Sequence, residues 1–252
     1  MKKAEIFGVD INFLSHQSAL ETISGVMIDK SSKKIRIATI NNEISNLALE
    51  ENSYRDVLNC FEMKVADSVG VKWAIKTIYN IDAERVQGVR LAYDICRIGE
   101  SSGRSIFLLG GDSEIGTIAA ANLKKIFPEL KIAGVIDGIK IDAKKNIDII
   151  EKINLSKASV VFVCLGAPKQ EMWINNNYNF IHSRIFIGLG GTLDFISGKI
   201  TRAPGVVQKV GLEWLFRFCV QPSRYKRIFS AIVVFPARVL RELIFTNKST
   251  KH

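Results

Sequence analysis

The chain has 252 residues, of which 47% are hydrophobic, and its formal net charge is +10. This length and apolar content suffice to bury a full core, which excludes a disordered chain and favours one α/β domain of about 200 residues plus an appendage. The charge is unevenly distributed, because eleven lysines and arginines but only two glutamates lie from Lys199 onward. We therefore expect the C-terminal segment to face an anionic partner: phosphate, nucleic acid or a lipid surface.

Targeting signals and cysteines bear on the compartment. The four cysteines, Cys60, Cys96, Cys164 and Cys219, are far apart in the sequence, and three of them lie in apolar runs. This usage predicts buried thiols in a reducing compartment and not a disulfide framework. The N-terminus lacks the continuous apolar stretch of a signal peptide, and no stretch reaches the roughly 20 apolar residues that span a bilayer. We expect a cytoplasmic protein that contacts membranes only from the surface.

Short β-branched runs alternate with segments of helical period along the chain. The first fourteen residues are typical of an extra strand or hairpin, followed by a helix that Ser15 could cap. Strands are predicted over residues 35–40, 63–66, 105–109, 131–136, 160–165 and 185–189, and helices over residues 42–50, 68–79, 89–100, 113–127, 143–156 and 170–180. The pattern predicts an α/β fold, Rossmann-like and doubly wound, with a mostly parallel sheet of about six strands.

The pattern changes near residue 200, where arginines, aromatic residues and prolines follow without another strand. We therefore divide the chain into a catalytic domain, residues 1–200, and a C-terminal helical basic appendage, residues 201–252. Within residues 206–243 the sequence predicts helices broken at Pro222 and Pro236.

Polar and glycine residues collect after the predicted strands, at the edge where parallel sheets bind their ligands. They are Thr39 and Asn41 after the first strand, Asp67 after the second, Gly110 and Gly111 after the third, Gly166, Pro168, Lys169 and Gln170 after the fifth, and Gly190 and Gly191 after the sixth. One ligand crevice is expected there, with nucleotide binding assigned to the glycines, Pro168 and Lys169.

Asp67 is the most suggestive carboxylate, because it follows a strand, precedes a helix and would point into the crevice. It could act as a general base. It could equally be the N-cap of the helix that begins at Ser68, since aspartate is a preferred cap.

Two loops could bind phosphate. The segment LGAPKQE, residues 165–171, joins a strand to a helix with Pro168 near the first turn, which predicts an anion site or an ordinary βα turn. Gln170 adds an amide suited to sugar hydroxyls. Because Gly110 and Gly111 are adjacent, residues 108–116 match a dinucleotide fingerprint only loosely, and an NAD-dependent oxidoreductase is the less favoured alternative.

Metal ligands are not grouped in the sequence, since the three histidines are scattered and no Asp-x-Asp pair occurs. We predict no metal site and no cofactor. If a diphosphate leaves here, protein cations must neutralise it, and guanidinium groups suit phosphate oxygens. The available donors are Arg85, Arg217, Arg224 and Arg227, each of which could also be a solvated surface arginine.

Eight short stretches of the sequence form a recognisable set: TINNE from Thr39, AD from Ala66, ERVQG from Glu84, LLGG from Leu108, LGAPKQEMWI from Leu165, GLGGTLDFISG from Gly188, RAP from Arg202 and GLEWLFR from Gly211. Together these stretches resemble glycosyltransferase family 26, the WecG/TagA/CpsF group. They extend over about residues 5–230, and the order PKQE, RAP, LEW is highly specific.

The resemblance implies an inverting, metal-independent transferase at the cytoplasmic membrane face. Its donor would be a UDP-sugar, N-acetylmannosamine in the best-known members, with glucose or a uronic acid as alternatives. Its acceptor would be a polyprenyl-diphosphate-linked GlcNAc in bacterial surface polysaccharide or teichoic acid synthesis. An anionic membrane surface is the expected further partner, nucleic acid is not, and homo-oligomerisation stays open.

The resemblance also implies roles for individual residues. Asp67 would be the base, Thr39, Asn41, Arg85 and Gln170 would line the active site, and Arg217, Arg224 and Arg227 would bind a diphosphate. Further along, Arg238, Arg241, Lys248 and Lys251 are expected to face anionic headgroups. Ser68 stands where many members have glycine, and it would cost of order 1 kcal/mol if that position required a positive φ.

Overall fold

An eight-stranded sheet forms the centre of the fold in this computed structural model, which describes residues 3–29, 33–138, 141–201, 204, 215–216 and 225–249. The strands are β1 (Lys3–Ile6), β2 (Val9–Asn12), β3 (Ile35–Ile40), β4 (Met63–Ala66), β5 (Ser105–Gly110), β6 (Lys131–Ile136), β7 (Val160–Cys164) and β8 (Ile185–Gly188). Their order is β1-β2-β4-β3-β8-β7-β5-β6. Only the β1–β2 hairpin is antiparallel among these pairs. The predicted fold class is confirmed, and the N-terminal hairpin raises the count from about six strands to eight.

Helices cover both faces of the sheet. They are α1 (His16–Ile28), α2 (Asn42–Glu50), α3 (Asn52–Asn59), α4 (Val69–Tyr79), α5 (Gly88–Ser102), α6 (Ile115–Ile126), α7 (Ala143–Ser156), α8 (Lys169–Asn177), α9 (Thr192–Ile196), α10 (Tyr225–Phe229) and α11 (Phe235–Ser249). The apolar sides of α1, α5, α6 and α9 pack on one face, and those of α2, α3, α4, α7, α8 and α11 on the other. This is the doubly wound arrangement.

Local sequence explains most of these elements. All five residues of β7 are buried, as a central parallel strand covered on both faces requires. Ser15 caps α1 as predicted, with its side chain accepting a hydrogen bond from the backbone N–H of Ser18 at 3.0 Å. Helix α3 was not predicted, because it begins two residues after α2 ends and Glu51 flanks both helices.

The C-terminal helical segment contradicts one prediction. The expected break at Pro236 is wrong, since the helical backbone continues from Tyr225 to Ser249. A π-helical turn over Ser230–Val234 ends two residues before the proline, and the Phe235 N–H donates to the Ser230 carbonyl. Such a wider turn accommodates the proline ring and its missing N–H. The predicted break at Pro222 lies outside the described residues.

This segment packs on the sheet domain. Phe235 and Val239 are fully buried in the core, and the Phe235 ring lies edge-on to Phe7 with ring centroids 5.6 Å apart. Arg238 was expected to face headgroups, but its guanidinium pairs with Glu50 at 2.7 Å and donates to Asn46 Oδ1 at 3.1 Å. Arg238 therefore holds α11 against α2.

Two further observations concern membrane-spanning helices and the state of the cysteines. No helix within the described ranges is long and apolar enough to cross a bilayer. Cys96 and Cys164 are buried thiols as predicted, whereas Cys60 is exposed and Cys219 lies outside the described residues.

Candidate active site

A cleft of about 1010 Å³ opens at the carboxyl ends of the parallel strands. Adjacent strands β5 and β7 lead into α6 and α8 on opposite faces of the sheet, which creates a ligand crevice in this fold class. Nine of the predicted site residues line it: Thr39, Asn41, Asp67, Gly111, Gly166, Lys169, Gln170, Gly190 and Gly191. Among the described residues, Arg85, Gly110 and Pro168 are predicted site residues that do not line the cleft.

Asp67 lies in the loop after β4, and its carboxylate is held from the start of α5. Its Oδ1 accepts a hydrogen bond from the Gly88 N–H at 2.7 Å. The N-cap interpretation of Asp67 is wrong, because Ser68 caps α4 by accepting from the Val71 N–H at 3.1 Å. The carboxylate of Asp67 is thus held at the positive end of a different helix, where negative charge is stabilised.

The Ser68 backbone shows why serine is tolerated after Asp67. Its φ of −103° and ψ of 155° are those of extended backbone. Serine therefore avoids the free-energy cost, of order 1 kcal/mol, that a positive φ at this position would have imposed. The Ser68 hydroxyl also donates to Asn42 Oδ1 at 2.6 Å, which ties the start of α4 to α2.

Arg85 lies behind the loop that carries Asp67. Its Nε donates to the backbone carbonyl of Asp67 at 2.6 Å. The neighbouring Val86 N–H donates to the Ala66 carbonyl at 2.9 Å. The segment before α5 therefore supports the Asp67 loop from outside the cleft.

Thr39 lies near the end of β3 and Asn41 directly follows that strand, and both make defined hydrogen bonds. The Thr39 hydroxyl donates to the Gly188 carbonyl at 2.8 Å and so links β3 to β8. Asn41 is the N-cap of α2, with Oδ1 accepting from the Ile44 N–H at 3.0 Å. Both side chains line the cleft while also fixing its walls.

The two glycines after β5 have different roles. At Gly110, where φ is +107°, an added Cβ would lie 2.4 Å from the carbonyl oxygen of Cys164, so this glycine permits close packing of β5 on β7. Gly111 lies in the cleft, but its N–H donates to the same carbonyl at 3.1 Å. That N–H is therefore already used within the protein.

Helix α8 carries Lys169 and Gln170 into the cleft. Gln170 Nε2 donates to Glu171 Oε1 at 2.6 Å, and Gln170 Oε1 accepts from the Gly190 N–H at 2.8 Å. The other Glu171 oxygen accepts from the Tyr54 hydroxyl at 2.9 Å. Burial raises the pKa of the Glu171 carboxyl to about 7.

Sequence reasoning assigned no role to Glu171 or Tyr54, which do not line the cleft but hold Gln170 from behind. The sequence offered only a weak signal, the position of Glu171 next to Gln170, because the burial of Glu171 and its contact with Tyr54 are properties of the folded chain. A second missed pair lies in the cleft lining, where Lys199 Nζ contacts Asp112 Oδ2 at 2.6 Å. This hydrogen bond raises the pKa of Lys199.

Three predicted arginines cannot be located at the cleft. Arg217 and Arg224 lie outside the described residues, and Arg227 lies in α10 with a side chain that is not described. Across the described part of the chain, no three His, Cys, Asp or Glu side chains come together as metal ligands would.

Comparison with known proteins identifies the family to which this protein belongs. A sequence model of the glycosyl transferase WecG/TagA/CpsF family matches residues 4–249. The chain belongs to this family of glycosyltransferases. The match includes both the cleft and the C-terminal helical segment, and it decides against the oxidoreductase alternative.

Curated members of the WecG/TagA/CpsF family are similar over nearly their whole length. A protein of Staphylococcus aureus strain MRSA252 is 30% identical over 242 residues, which cover 95% of this chain and 92% of the relative. A protein of Staphylococcus aureus strain NCTC 8325 is 29% identical over the same coverage. Both are named N-acetylglucosaminyldiphosphoundecaprenol N-acetyl-beta-D-mannosaminyltransferase.

Proposed function

We propose that this glycosyltransferase moves N-acetylmannosamine from a UDP donor to a polyprenyl-diphosphate-linked GlcNAc, by a metal-independent displacement that inverts the anomeric configuration. The product would enter bacterial surface polysaccharide or teichoic acid synthesis. The names of the Staphylococcus aureus relatives support this donor sugar and acceptor. The observation that carries the proposal is the oriented Asp67 carboxylate in a cleft that also contains Gln170 and Lys169.

In the proposed reaction Asp67 is the general base. It accepts the proton of the acceptor hydroxyl while that oxygen bonds to the anomeric carbon, and the bond from that carbon to the UDP oxygen breaks. The electron pair leaves on the diphosphate, so no covalent intermediate forms. The Gly88 N–H orients the carboxylate, and Arg85 holds its loop.

The diphosphate must be stabilised as its negative charge develops. Lys169 and Lys199 line the cleft, and the N-terminal end of α8 is an electropositive helix end beside Gly166. We assign Arg217, Arg224 and Arg227 to the same diphosphate, in line with the family resemblance.

The C-terminal helices support attachment to a membrane surface. Five large apolar side chains are exposed along this segment: Tyr225 at 55%, Phe229 at 58%, Val233 at 49%, Leu240 at 48% and Ile244 at 58%. Their spacing of four residues, or seven across the proline, gives one apolar stripe. A stripe on a strongly basic segment suits the interface of an anionic membrane. We therefore assign the protein to the inner face of the cell membrane, with no nucleic acid partner.

The direct test is transfer to a synthetic polyprenyl-diphosphate GlcNAc acceptor from a panel of UDP-sugars, read by mass spectrometry with and without EDTA. We expect one N-acetylhexosamine to be added from UDP-N-acetylmannosamine in either condition. Transfer from UDP-glucose or a UDP-uronic acid alone would replace the proposed donor. Loss of activity in EDTA would reject the metal-independent mechanism.

The base is tested by Asp67→Asn, which keeps the size of the side chain but cannot accept the proton. We expect UDP binding to persist and transfer to fall by about two to four orders of magnitude. Asp148→Asn is the matched control, because it makes the same change at an exposed carboxylate of α7 that does not line the cleft. Turnover of Asp67→Asn near that of the wild type would reject the assignment.

A further inference from the structure

A chain of buried hydrogen bonds leads from α3 to the floor of the cleft. Tyr54 is 1% exposed, Glu171 0% and Gln170 2%. The Tyr54 hydroxyl donates to Glu171, Gln170 Nε2 donates to the second oxygen of Glu171, and Gln170 Oε1 accepts from the Gly190 N–H. Since buried polar groups are costly when unpaired, each partner constrains the next.

This series of hydrogen bonds determines which end of the Gln170 amide faces Glu171 and which end faces Gly190. If the amide were turned over, its oxygen would face the Glu171 carboxylate and its nitrogen would face the Gly190 N–H. Both contacts would then join like groups, acceptor to acceptor and donor to donor. The observed orientation, with contacts of 2.6 Å and 2.8 Å, is therefore the only one that satisfies both neighbours.

Gly188 provides the space for this pair. A Cβ at that position would lie 2.9 Å from Gln170 Nε2 and 3.2 Å from Glu171 Oε1. The backbone of β8 therefore approaches the pair as closely as only a glycine allows, which limits the freedom of both side chains.

We propose that Glu171, held by Tyr54, is a positioning residue that fixes the Gln170 amide so that its second N–H is offered to the substrate. Gln170 then acts as a donor in the cleft, and the substrate group that it meets is a hydrogen-bond acceptor, such as a sugar oxygen or the carbonyl of an N-acetyl group. This inference rests on the proposed function of the cleft.

Positioning by Glu171 is strongest when its carboxylate is ionised, because hydrogen bonds to a charged acceptor are about twice as strong as bonds between neutral groups. The groups that face it are Tyr54 from α3, Gln170 from its own helix and the Glu43 carboxylate from α2. Burial, the largest cause, raises the pKa of Glu171 to about 7. As the pH falls through that value, Glu171 takes up a proton, its hydrogen bond to Gln170 loses the added strength of the charge, and the orientation of Gln170 is held less firmly.

The first experiment compares wild type with Glu171→Gln in the transfer assay across pH. A glutamine at position 171 can present either amide end, so we expect kcat/KM for the UDP-sugar to fall by about tenfold. UDP affinity should change by less than about twofold, since the contact is to the sugar. The acid limb of wild-type activity, with its midpoint near 7, should be absent in the variant. A purely structural role would leave the shape of that pH profile unchanged.

Tyr54→Phe is the second variant, and it preserves the ring while removing one hydrogen bond to Glu171. We expect a smaller fall in kcat/KM, about threefold, and a displaced acid limb. Tyr79→Phe is the matched control, because it loses a hydroxyl bond of 2.8 Å to the Glu5 carbonyl, remote from the cleft. Wild-type kcat/KM and pH profile in both Tyr54→Phe and Glu171→Gln would overturn the proposal.

An NMR measurement separates this inference from the proposed function. The side-chain ¹⁵N–H₂ pair of Gln170, assigned by its absence in Gln170→Glu, should titrate with a midpoint near 7 in wild type and not in Glu171→Gln. If the wild type transfers no sugar but this titration is found, the proposed function fails and the positioning stands. If sugar is transferred but no titration occurs, the positioning is overturned.

Discussion

Replacing Glu171 by glutamine should make the protein more stable at neutral and alkaline pH, although it lowers activity. The folded state raises the pKa of this carboxyl from 4.5 to about 7 because of burial. One pKa unit is worth about 1.4 kcal/mol, so ionised Glu171 costs the folded state about 3 kcal/mol relative to the neutral form. For a chain of this size that corresponds to a rise in Tm of roughly 6 to 12 °C.

The pH range follows from the direction of the pKa change. Between pH 4.5 and about 7 the folded state keeps a proton that the unfolded state has lost. The free energy of unfolding of the wild type therefore decreases as the pH rises through this range. The Glu171→Gln variant has no carboxyl at this position, so this part of the pH dependence should be absent from its free energy of unfolding. Activity should change in the opposite direction, since the ionised form positions Gln170 more strongly.

Urea unfolding of both proteins, followed by tryptophan fluorescence from about pH 5 to about pH 8, tests this linkage. Glu129→Gln, on an exposed side chain, controls for the loss of one surface carboxylate. The reasoning is refuted if the difference in unfolding free energy between wild type and Glu171→Gln stays constant over that range.

Three further changes test packing and membrane attachment. Gly110→Ala would bring a Cβ to 2.4 Å from a carbonyl oxygen of β7, at a φ of +107°, so the free energy of unfolding should fall by at least about 2 kcal/mol; an unchanged urea midpoint would contradict this. Phe235→Ala removes a fully buried ring and should cost about 3–5 kcal/mol, whereas a loss below about 1 kcal/mol would show that α11 does not pack there. Leu240→Glu places a negative charge in the exposed apolar stripe of the C-terminal helices and should reduce flotation of the protein with anionic vesicles. Leu155→Glu makes the same change at an even more exposed leucine of α7 and should not reduce it. Equal effects of the two changes would argue against membrane contact through the C-terminal stripe.

Most of the sheet could be predicted from the sequence because its signals are local. Buried parallel strands such as β7 are continuous β-branched and aromatic runs, and the helices between them have apolar residues at helical spacing. The positions after the strands follow from the same pattern, which is why Thr39, Asp67 and Gln170 were expected together in the cleft that they line.

The failures share a different cause. The Asp67 carboxylate is held by Gly88, 21 residues away, and Arg238 pairs with Glu50, 188 residues away. A run of residues around each side chain contains no information on such partners. The continuous helix through Pro236 likewise depends on a π turn that packs on α2.

The sequence by itself determined the order of the βα units, the edge of the sheet that carries the polar residues, and the concentration of positive charge from residue 199 onward. These features could be predicted because periodicity and composition depend only on residues that are close together in the sequence. Only the tertiary structure decided that Ser68 and not Asp67 caps α4, that Arg238 faces α2, and that Tyr54 reaches Glu171 across 117 residues. Hydrogen-bond partners and desolvation are set by which distant segments meet, and at this cleft those meetings orient the groups proposed to do the chemistry.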